Sequence, residues 1–253
     1  MKIFFKTFFA SLLALFIFSL LGFLILLGIA GSFSKEEQKT IDPNSVLVID
    51  IAEDFLEQTK SDPFSELVNK KKGKMPSLSE LIGLIKNAKK DSTIKGIYIK
   101  CQQNPNGYAS TEEIRKALID FKSSKKFIVA YGETITQKGY WIGNAADEIY
   151  THPQGGLEFK GFCYETMFLK GLLDKLEIKP EVFYAGKFKS ATEPFRYNQM
   201  SEANKLQTGV WLNALYNSFL EGTAEKRKIE VATLKAIAND GKIQSANDAY
   251  NII

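Results

Sequence analysis

An uncharged apolar run near the start of the chain constrains everything that follows it. After Lys2 and Lys6, no charged residue occurs before Lys35. The densest apolar stretch, residues 8–30, would extend about 35 Å as a helix, which is enough to cross a bilayer core of about 30 Å. The sequence therefore predicts a cytoplasmic N-terminus and a transmembrane anchor in residues 1–34.

A cleavable signal peptide is the alternative to an uncleaved anchor. The apolar region of a signal peptide is normally about 7–15 residues long, which is shorter than this run. Residues 28–31 nevertheless offer a weak small-residue cleavage site. We favour the anchor. Because Lys2 and Lys6 precede the run and mixed charge follows it, the positive-inside rule places the rest of the chain on the periplasmic side of a bacterial inner membrane.

The composition of the remaining chain argues against several classes of function. The formal net charge of +4 includes no long basic block, so nucleic-acid binding has little support. The one histidine, His152, precedes Pro153 and is most simply a turn residue, which leaves little for a metal site or a Ser-His triad. Cys101 and Cys163 form no CxxC motif and fit either one disulfide or two buried thiols. We expect no cofactor.

Short β-branched runs alternate with amphipathic stretches after a linker at residues 35–44. Strands and helices joined by short connections require right-handed crossovers, and they predict a layered α/β fold of repeated βαβ units over residues 45–253. Ser77 and Glu80 form a capping-box signature at the start of the first helix of this domain. The predicted strands are residues 45–53, 94–101, 126–133, 148–153, 157–162 and 179–186. The predicted helices are residues 77–91, 111–124, 136–147, 165–178, 200–228 and 230–240, with a loop at 57–76 and a turn at 104–110.

Two familiar catalytic motifs are absent from this alternation. The turn "NPNG" lacks the glycine pattern and the lysine-serine ending of a phosphate-binding loop. No GxSxG sequence occurs, which excludes the nucleophile elbow of an α/β-hydrolase.

The remaining chemistry lies in "YAGKFKSATEPF", residues 184–195, which we call the lysine segment. A lysine can act as general base for a serine nucleophile only when its amine is neutral. A free lysine has a pKa near 10.4 and a general base needs about 7–8, a difference of roughly 3–5 kcal/mol. Burial against apolar groups lowers a lysine pKa. Phe183, Phe188 and Phe195 are candidates for supplying that burial.

Charged neighbours within the lysine segment act in opposite directions. If the strand continues, Lys187 and Lys189 share one face, and each cation disfavours the charge of the other. An ion pair with Glu193 would favour the charged amine, so a base at Lys189 requires Glu193 to point elsewhere. The simpler interpretation is a pair of exposed lysines in a loop.

The lysine segment resembles a known family. "GKFKSATEPF" is similar to the lysine motif of signal peptide peptidase A, a membrane-anchored serine protease with a Ser/Lys dyad. The resemblance is to the N-terminal domain of the long, two-domain form. It covers nearly the whole chain and is most specific over residues 129–162 and 171–195.

The resemblance implies a fold, a base and an assembly. The expected fold is crotonase-like, that is Clp-protease-like, α/β. Lys189 is then the general base and Lys187 is only its neighbour. The implied substrates are apolar peptides such as cleaved signal peptides, and the implied assembly is a homo-oligomer.

The resemblance does not supply a nucleophile within these residues. Gln137, in "ITQKGYWIG", stands where the family has its serine, and an amide cannot attack a carbonyl as an alkoxide does. Ser190 is adjacent to Lys189, and adjacent side chains on an extended chain point to opposite faces. We therefore expect an incomplete chain, with the serine and the oxyanion donors in a missing C-terminal domain.

Two other functions remain open at this stage. A catalytically silent, membrane-tethered scaffold or binding protein on the same fold is favoured by Gln137. An acyl-CoA enzyme of crotonase type is weaker, because that chemistry usually relies on carboxylates in a soluble chain.

Overall fold

The computed structural model describes residues 1–33, 41–58 and 75–253, with side chains up to Ile25 in the first of these ranges. The chain divides into two compact units, Met1–Asp42 and Pro43–Ile253. Most of the predicted linker and of the predicted loop at 57–76 lies outside the described residues.

The first unit consists chiefly of one long helix, α1 (Lys2–Phe33). Its stretch Lys2–Ile25 reaches a mean hydropathy of 2.6, and by length and composition it can cross a membrane. The predicted helix is therefore confirmed, while its insertion in a membrane stays a prediction.

The second unit is built on a parallel sheet of four strands in the order β1-β2-β3-β4. Each connection between neighbouring strands contains a described helix, so the predicted α/β fold is confirmed. The strands are β1 (Ser45–Asp50), β2 (Ile94–Lys100), β3 (Phe127–Ile135) and β4 (Glu148–Leu157), and the crossover helices are α2 (Leu78–Lys90), α3 (Tyr108–Phe121) and α4 (Gln137–Gly143).

Alternation along the strands separates a buried face of the sheet from a more exposed one. Ile97, Ile99 and Ile128 point to one face, are fully buried, and belong to the same core as residues of α2 and α3. Residues of the opposite face stay partly accessible, and Val48 is 54% exposed. Because an all-parallel sheet normally has both faces covered, this second face is available for further protein.

The helix α2 begins as its sequence predicts. The Ser77 hydroxyl accepts a hydrogen bond from the Glu80 N–H, and the Glu80 carboxylate accepts one from the Ser77 N–H, which completes the capping box.

The C-terminal part of the second unit is helical and packs against α4. In the helix Glu202–Arg227, named α7 here, Phe219 lies with its ring centroid 5.5 Å from that of Trp141 and 6.2 Å from that of Tyr140. This aromatic contact fixes α7 beside the turn that follows β3. The helices here are α5 (Lys170–Lys175), α6 (Glu193–Arg196), α7 (Glu202–Arg227), α8 (Val231–Asn239) and α9 (Ala246–Ile252), with 3-10 turns at Lys122–Ser124 and Ser190–Thr192.

Three predicted elements between β4 and α7 are wrong or shortened. β4 is continuous and ends at Leu157, so residues 157–162 do not form a separate strand. The helix predicted at 165–178 is formed only at Lys170–Lys175. Residues 179–186 have no regular structure, because no described strand offers them backbone hydrogen bonds. Conversely, α9 was not predicted.

The two cysteines do not form a disulfide. Cys101 and Cys163 are both free, so no disulfide forms, and only Cys101 is buried. Burial raises the pKa of the Cys101 thiol to about 12, which makes it unreactive.

Residues 152–155 bulge out of the pairing between β3 and β4, and the His152 Nδ1 accepts a hydrogen bond from the Gln154 N–H. This turn-like role fits the interpretation of His152 from the sequence.

The close approach of α4 to the end of β2 depends on Gly139, and we expect Gly139→Ala to destabilise the fold. An added methyl would overlap the carbonyl oxygen of Cys101 and approach that of Gln102 to 3.0 Å. The free energy of unfolding should fall by about 1–3 kcal/mol in a denaturant titration. As the control, Gly83→Ala in α2 meets nothing within 4 Å and should be neutral or stabilising. Equal stability of the two variants would contradict this packing.

Candidate functional site

The residues singled out by sequence lie in two places in the second unit. Gln137 is at the carboxyl edge of the sheet, where it is the first residue of α4 after the turn that follows β3. Lys187 and Lys189 lie in the lysine segment between α5 and α7.

The turn after β3 holds Gln137 in a fixed orientation. The Thr136 N–H donates to the Gln102 carbonyl at 2.8 Å, and the Thr136 hydroxyl caps α4 by accepting from the Gly139 N–H at 3.2 Å. Gln137 is only 8% exposed, and its Oε1 accepts a hydrogen bond from the Lys160 N–H at 2.8 Å. The glutamine thus joins this turn to the chain that leaves β4.

A buried amide network supports the same edge, and sequence reasoning missed it. The Asn104 Nδ2 donates to the Thr111 hydroxyl at 3.0 Å and to the Lys138 carbonyl at 3.3 Å. The Asn106 side chain donates to the Glu53 carbonyl at 2.9 Å and accepts from the Phe55 N–H at 2.8 Å. Two asparagines in a turn directly after a buried strand were the available signal, since asparagine favours such local backbone contacts.

An open cleft of about 420 Å³ lies over this edge. Gln137 and Asn104 lie in its lining, with Lys138 and Glu158 supplying one charge of each sign. The Lys138 ammonium lies 5.4 Å from the centroid of the Tyr108 ring, and partial burial lowers the pKa of its amine. The lining therefore carries no strong net charge.

The lysine segment turns at Gly186, where the sequence left open whether a strand continues. Gly186 has a φ of +91°, a conformation that favours glycine, and Lys187 and Phe188 form the turn that follows. Lys189 then precedes the 3-10 turn Ser190–Thr192. The strand does not continue, so the condition for a shared strand face of Lys187 and Lys189 is not met.

Both lysines and their apolar neighbours are exposed in this chain. Phe183 is 93% exposed and Phe188 is 50% exposed. Phe195 is also exposed, so the phenylalanines do not cover the Lys189 amine here. The described residues therefore leave the Lys189 amine exposed.

The two ends of the lysine segment are held together. The Arg196 guanidinium stacks on the Tyr184 ring at 3.7 Å and lies 4.8 Å from the Tyr197 ring. Its Nε donates to the Thr192 hydroxyl at 3.1 Å. The turn that carries both lysines is thus closed at its base by one stacked cation.

Glu193 points away from the lysines and into the start of α7. Its side chain is 3% exposed, and its carboxylate accepts hydrogen bonds from the Ser201 hydroxyl at 2.6 Å, the Ser201 N–H at 3.1 Å and the Asn204 Nδ2 at 2.8 Å. Desolvation raises the pKa of this carboxyl, but the hydrogen bonds and the charge of Arg196 outweigh it and hold the pKa below its ordinary value. The sequence analysis required Glu193 to point away from Lys189 if this lysine is the base, and the position of the Glu193 side chain meets that condition.

The two candidate places are separate within the described residues. Lys189 does not line the cleft at Gln137, and it makes no hydrogen bond or ion pair with Ser190 or Glu193. No cluster of three or more metal-ligating side chains occurs in ranges 1–33, 41–58 and 75–253.

Comparison with known proteins identifies relatives of the second unit. Residues 120–252 match the family described as Peptidase family S49. "Protease 4" of Haemophilus influenzae is 29% identical over 83% of this chain and 35% of its own length. "Protease 4" of Salmonella typhi is 34% identical over 60% of this chain and 25% of its own. "Serine protease SPPA, chloroplastic" of Arabidopsis thaliana is 33% identical over 60% of this chain and 22% of its own.

The matches define how much of each relative this chain represents. The chain spans between about a fifth and about a third of the length of these relatives, from 22% to 35%. The matched family range includes both the turn with Gln137 and the lysine segment.

We expect Glu193→Gln to destabilise the second unit at neutral pH. Because the folded carboxyl has a lowered pKa, its contribution is present above the unfolded pKa, about 4.3, and is lost as pH falls through the folded value. The variant's free energy of unfolding should be about 1–3 kcal/mol lower at pH 7. The difference should shrink towards pH 3, as followed by denaturant titration of the full chain.

The matched control is Glu202→Gln, one residue after the Ser201 cap of α7. The Glu202 side chain is 89% exposed and pairs with Lys205, so its loss should cost less than about 1 kcal/mol. A Glu193→Gln variant as stable as Glu202→Gln at pH 7 would contradict the role of Glu193.

Proposed function

The chain belongs to peptidase family S49, and we propose that it supplies the lysine half of a membrane-anchored serine endopeptidase. In this proposal Lys189 is the general base. The nucleophilic serine and the oxyanion donors lie outside these 253 residues.

Membership of the family agrees with the architecture of the second unit. The parallel sheet with its crossover helices is the α/β arrangement expected of a Clp-protease-like fold. The relatives carry protease names, which makes proteolysis the function class of the family.

The observation that carries the assignment of Lys189 is the engagement of Glu193. The carboxylate nearest to Lys189 in sequence is occupied by three hydrogen bonds from α7. A carboxylate paired with the amine would favour the ammonium form, which cannot accept a proton. With Glu193 engaged by Ser201 and Asn204, its carboxylate does not form an ion pair with Lys189.

The proposed hydrolysis uses the Lys189 amine, which is not paired with Glu193. The neutral Lys189 Nζ takes the proton from a serine hydroxyl as that oxygen forms a bond to the peptide carbonyl carbon. The resulting ammonium then gives the proton to the leaving amine nitrogen as the peptide bond breaks. Water repeats the sequence on the acyl-enzyme, with Lys189 again as base and the serine oxygen as the leaving group.

Exposed apolar surface supports completion of the site by further protein. The segment 163–189, which we call the exposed arm, presents Met167, Leu176 and Phe183 to solvent. The open face of the sheet adds Val46 and Val48. A homo-oligomer or an additional domain that covers these side chains and the lysine segment would desolvate the Lys189 amine.

The anchor supports the location and the substrate class in the proposal. A helix such as α1, placed in a bacterial inner membrane with the second unit on the periplasmic side, keeps the protease beside the bilayer. Apolar peptides such as cleaved signal peptides are released there, and we propose them as substrates.

A silent membrane-tethered scaffold is the second candidate. Gln137 favours it, because a glutamine in the strand-to-helix turn provides no nucleophile. The scaffold hypothesis predicts that no serine outside the chain reacts together with Lys189.

We expect Lys189→Ala to remove peptide hydrolysis in the complete protein. Loss of a general base lowers the rate by about 10²–10⁴-fold. The measurement is kcat/KM on an apolar fluorogenic peptide, with thermal unfolding to verify the fold.

Lys187→Ala is the matched control, because it removes the neighbouring amine from the same turn. It should change kcat/KM by less than about tenfold. If the Lys189→Ala variant stays folded and retains activity, or if Lys187→Ala is the inactive variant, the assignment of Lys189 is wrong.

A further inference from the structure

Six lysines surround the amino edge of the parallel sheet, where β2 and β3 begin. Three carboxylates, those of Asp91, Asp120 and Asp147, lie among them. Six lysines against three carboxylates leave an excess of three positive charges, out of a net charge of +4 for the whole chain. We call this surface the basic rim, and its lysines are Lys89, Lys90, Lys95, Lys122, Lys125 and Lys126.

The three carboxylates of the basic rim are already engaged. The Asp91 carboxylate accepts hydrogen bonds from the N–H and the hydroxyl of the threonine two residues further on, at 2.8 and 2.7 Å. Asp120 forms an ion pair with Lys89, and Asp147 forms one with Lys122, each at 2.8 Å. These acids therefore leave the other lysines of the rim without a carboxylate partner.

The other lysines leave positive charge exposed at the rim. The Lys126 ammonium donates to two backbone carbonyls at the end of α2, and that of Lys95 donates to one backbone carbonyl at 3.0 Å. Lys90 and Lys125 are exposed and form no ion pair in ranges 1–33, 41–58 and 75–253. The helix dipole favours Lys90 in the last turn of α2, but Lys95 and Lys125 lie outside the α-helices.

An exposed aromatic ring adjoins these lysines. Phe127 begins β3 directly after Lys126, and it is 44% exposed. Its ring lies across Gly96 of β2, where an added methyl would come within 2.5 Å of the ring. Aromatic rings beside lysines are typical of surfaces that contact the headgroup region of a membrane.

The opposite, carboxyl edge of the sheet carries an excess of negative charge. Apart from the paired Asp50 and Lys100, four exposed carboxylates and two lysines lie near the strand ends. They are Glu53, Asp54, Glu133 and Glu158, with Lys138 and Lys160. An anionic surface is therefore attracted to the basic rim and repelled by the opposite edge.

The position of the basic rim favours a phospholipid surface as its anionic partner. β1 begins with Ser45 at this same edge, so the chain enters the second unit here, and only residues 34–44 separate β1 from α1 in the sequence. In a protein anchored by α1, the edge at which the chain arrives is the one tethered to the anchor.

We propose that the basic rim binds the anionic headgroups of a phospholipid bilayer, with Lys90, Lys95 and Lys125 contacting phosphates and Phe127 lying among the headgroups. The inference rests on the proposed function only in taking α1 as a membrane anchor. The contact turns the carboxyl edge of the sheet away from the bilayer.

The test uses the full chain in lipid nanodiscs, with a bimane fluorophore on the thiol of a Ser92→Cys variant that also carries Cys163→Ser. Ser92 is exposed on the rim, and the remaining Cys101 is buried. A nitroxide on the lipid headgroup quenches a nearby bimane. We expect quenching to rise at least about twofold when about 30 mol % of neutral phosphatidylcholine is replaced by anionic phosphatidylglycerol. The increase should disappear in about 0.5 M NaCl.

Two variants test the lysines themselves. Because each lysine near an anionic membrane shifts binding by about fivefold, Lys90→Gln with Lys125→Gln should lower the ratio of membrane-bound to unbound second unit by about 25-fold. Quenching at position 92 then falls to its value in neutral nanodiscs. The matched control is Lys160→Gln with Lys205→Gln, which removes two exposed charges away from the rim and should preserve the increase.

The same label on a Gln103→Cys variant, at the exposed opposite edge, should show no increase with phosphatidylglycerol. Equal quenching at position 92 in neutral and anionic nanodiscs would overturn the inference. So would an increase that survives the loss of Lys90 and Lys125, or one that occurs equally at position 103. Loss of the increase on adding a single-stranded oligonucleotide would assign the rim to nucleic acid instead.

The anchor and the proposed base have separate readouts in this experiment. Failure of the chain to co-elute with nanodiscs would contradict the anchor together with the lipid-binding rim. Lys189→Ala, which tests the proposed function by hydrolysis, should leave the quenching at position 92 unchanged.

Discussion

The hydrogen bonds of Glu193 to the start of α7 connect the lysine segment to the rest of the second unit. Ser201 and Asn204 hold this carboxylate, and Phe219, further along α7, packs against the aromatic residues of α4. The turn with Lys189 is therefore tied through one helix to the carboxyl edge of the sheet. The same contact also engages the acid that would otherwise pair with Lys189 and favour its charged form. A single buried carboxylate thus serves both the position of the candidate base and its electrostatic environment.

Short sequence patterns correctly predicted those helices and strands whose formation depends on neighbouring residues. The capping box at Ser77 and the β-branched runs of β1, β2 and β3 depend on a few neighbouring residues. Residues 179–186 carry a similar apolar pattern but form no strand, because a strand also needs a partner for its backbone groups. The helix α9 was missed although Ser245 and Asp248 form a capping box at its start.

The candidate site was predictable as a set of residues but not as an arrangement. The sequence singled out Lys189 and Gln137 through a motif resemblance, and it stated the condition on Glu193. It could not show that Asn204 meets this condition, since the contact spans a turn and a helix cap. Nor did it predict the exposure of Phe183, because an apolar residue beside a lysine suggests burial until the covering surface is known.

The central claim is that Lys189 serves a serine outside residues 1–253. The most direct measurement treats the protein as the cell makes it with a fluorophosphonate, which modifies activated serines, and maps the adduct by mass spectrometry. The account predicts one adduct on a serine beyond residue 253, and its loss in the Lys189→Ala variant. An adduct on Ser190 or on any other serine of these residues, or undiminished labelling without Lys189, would contradict it.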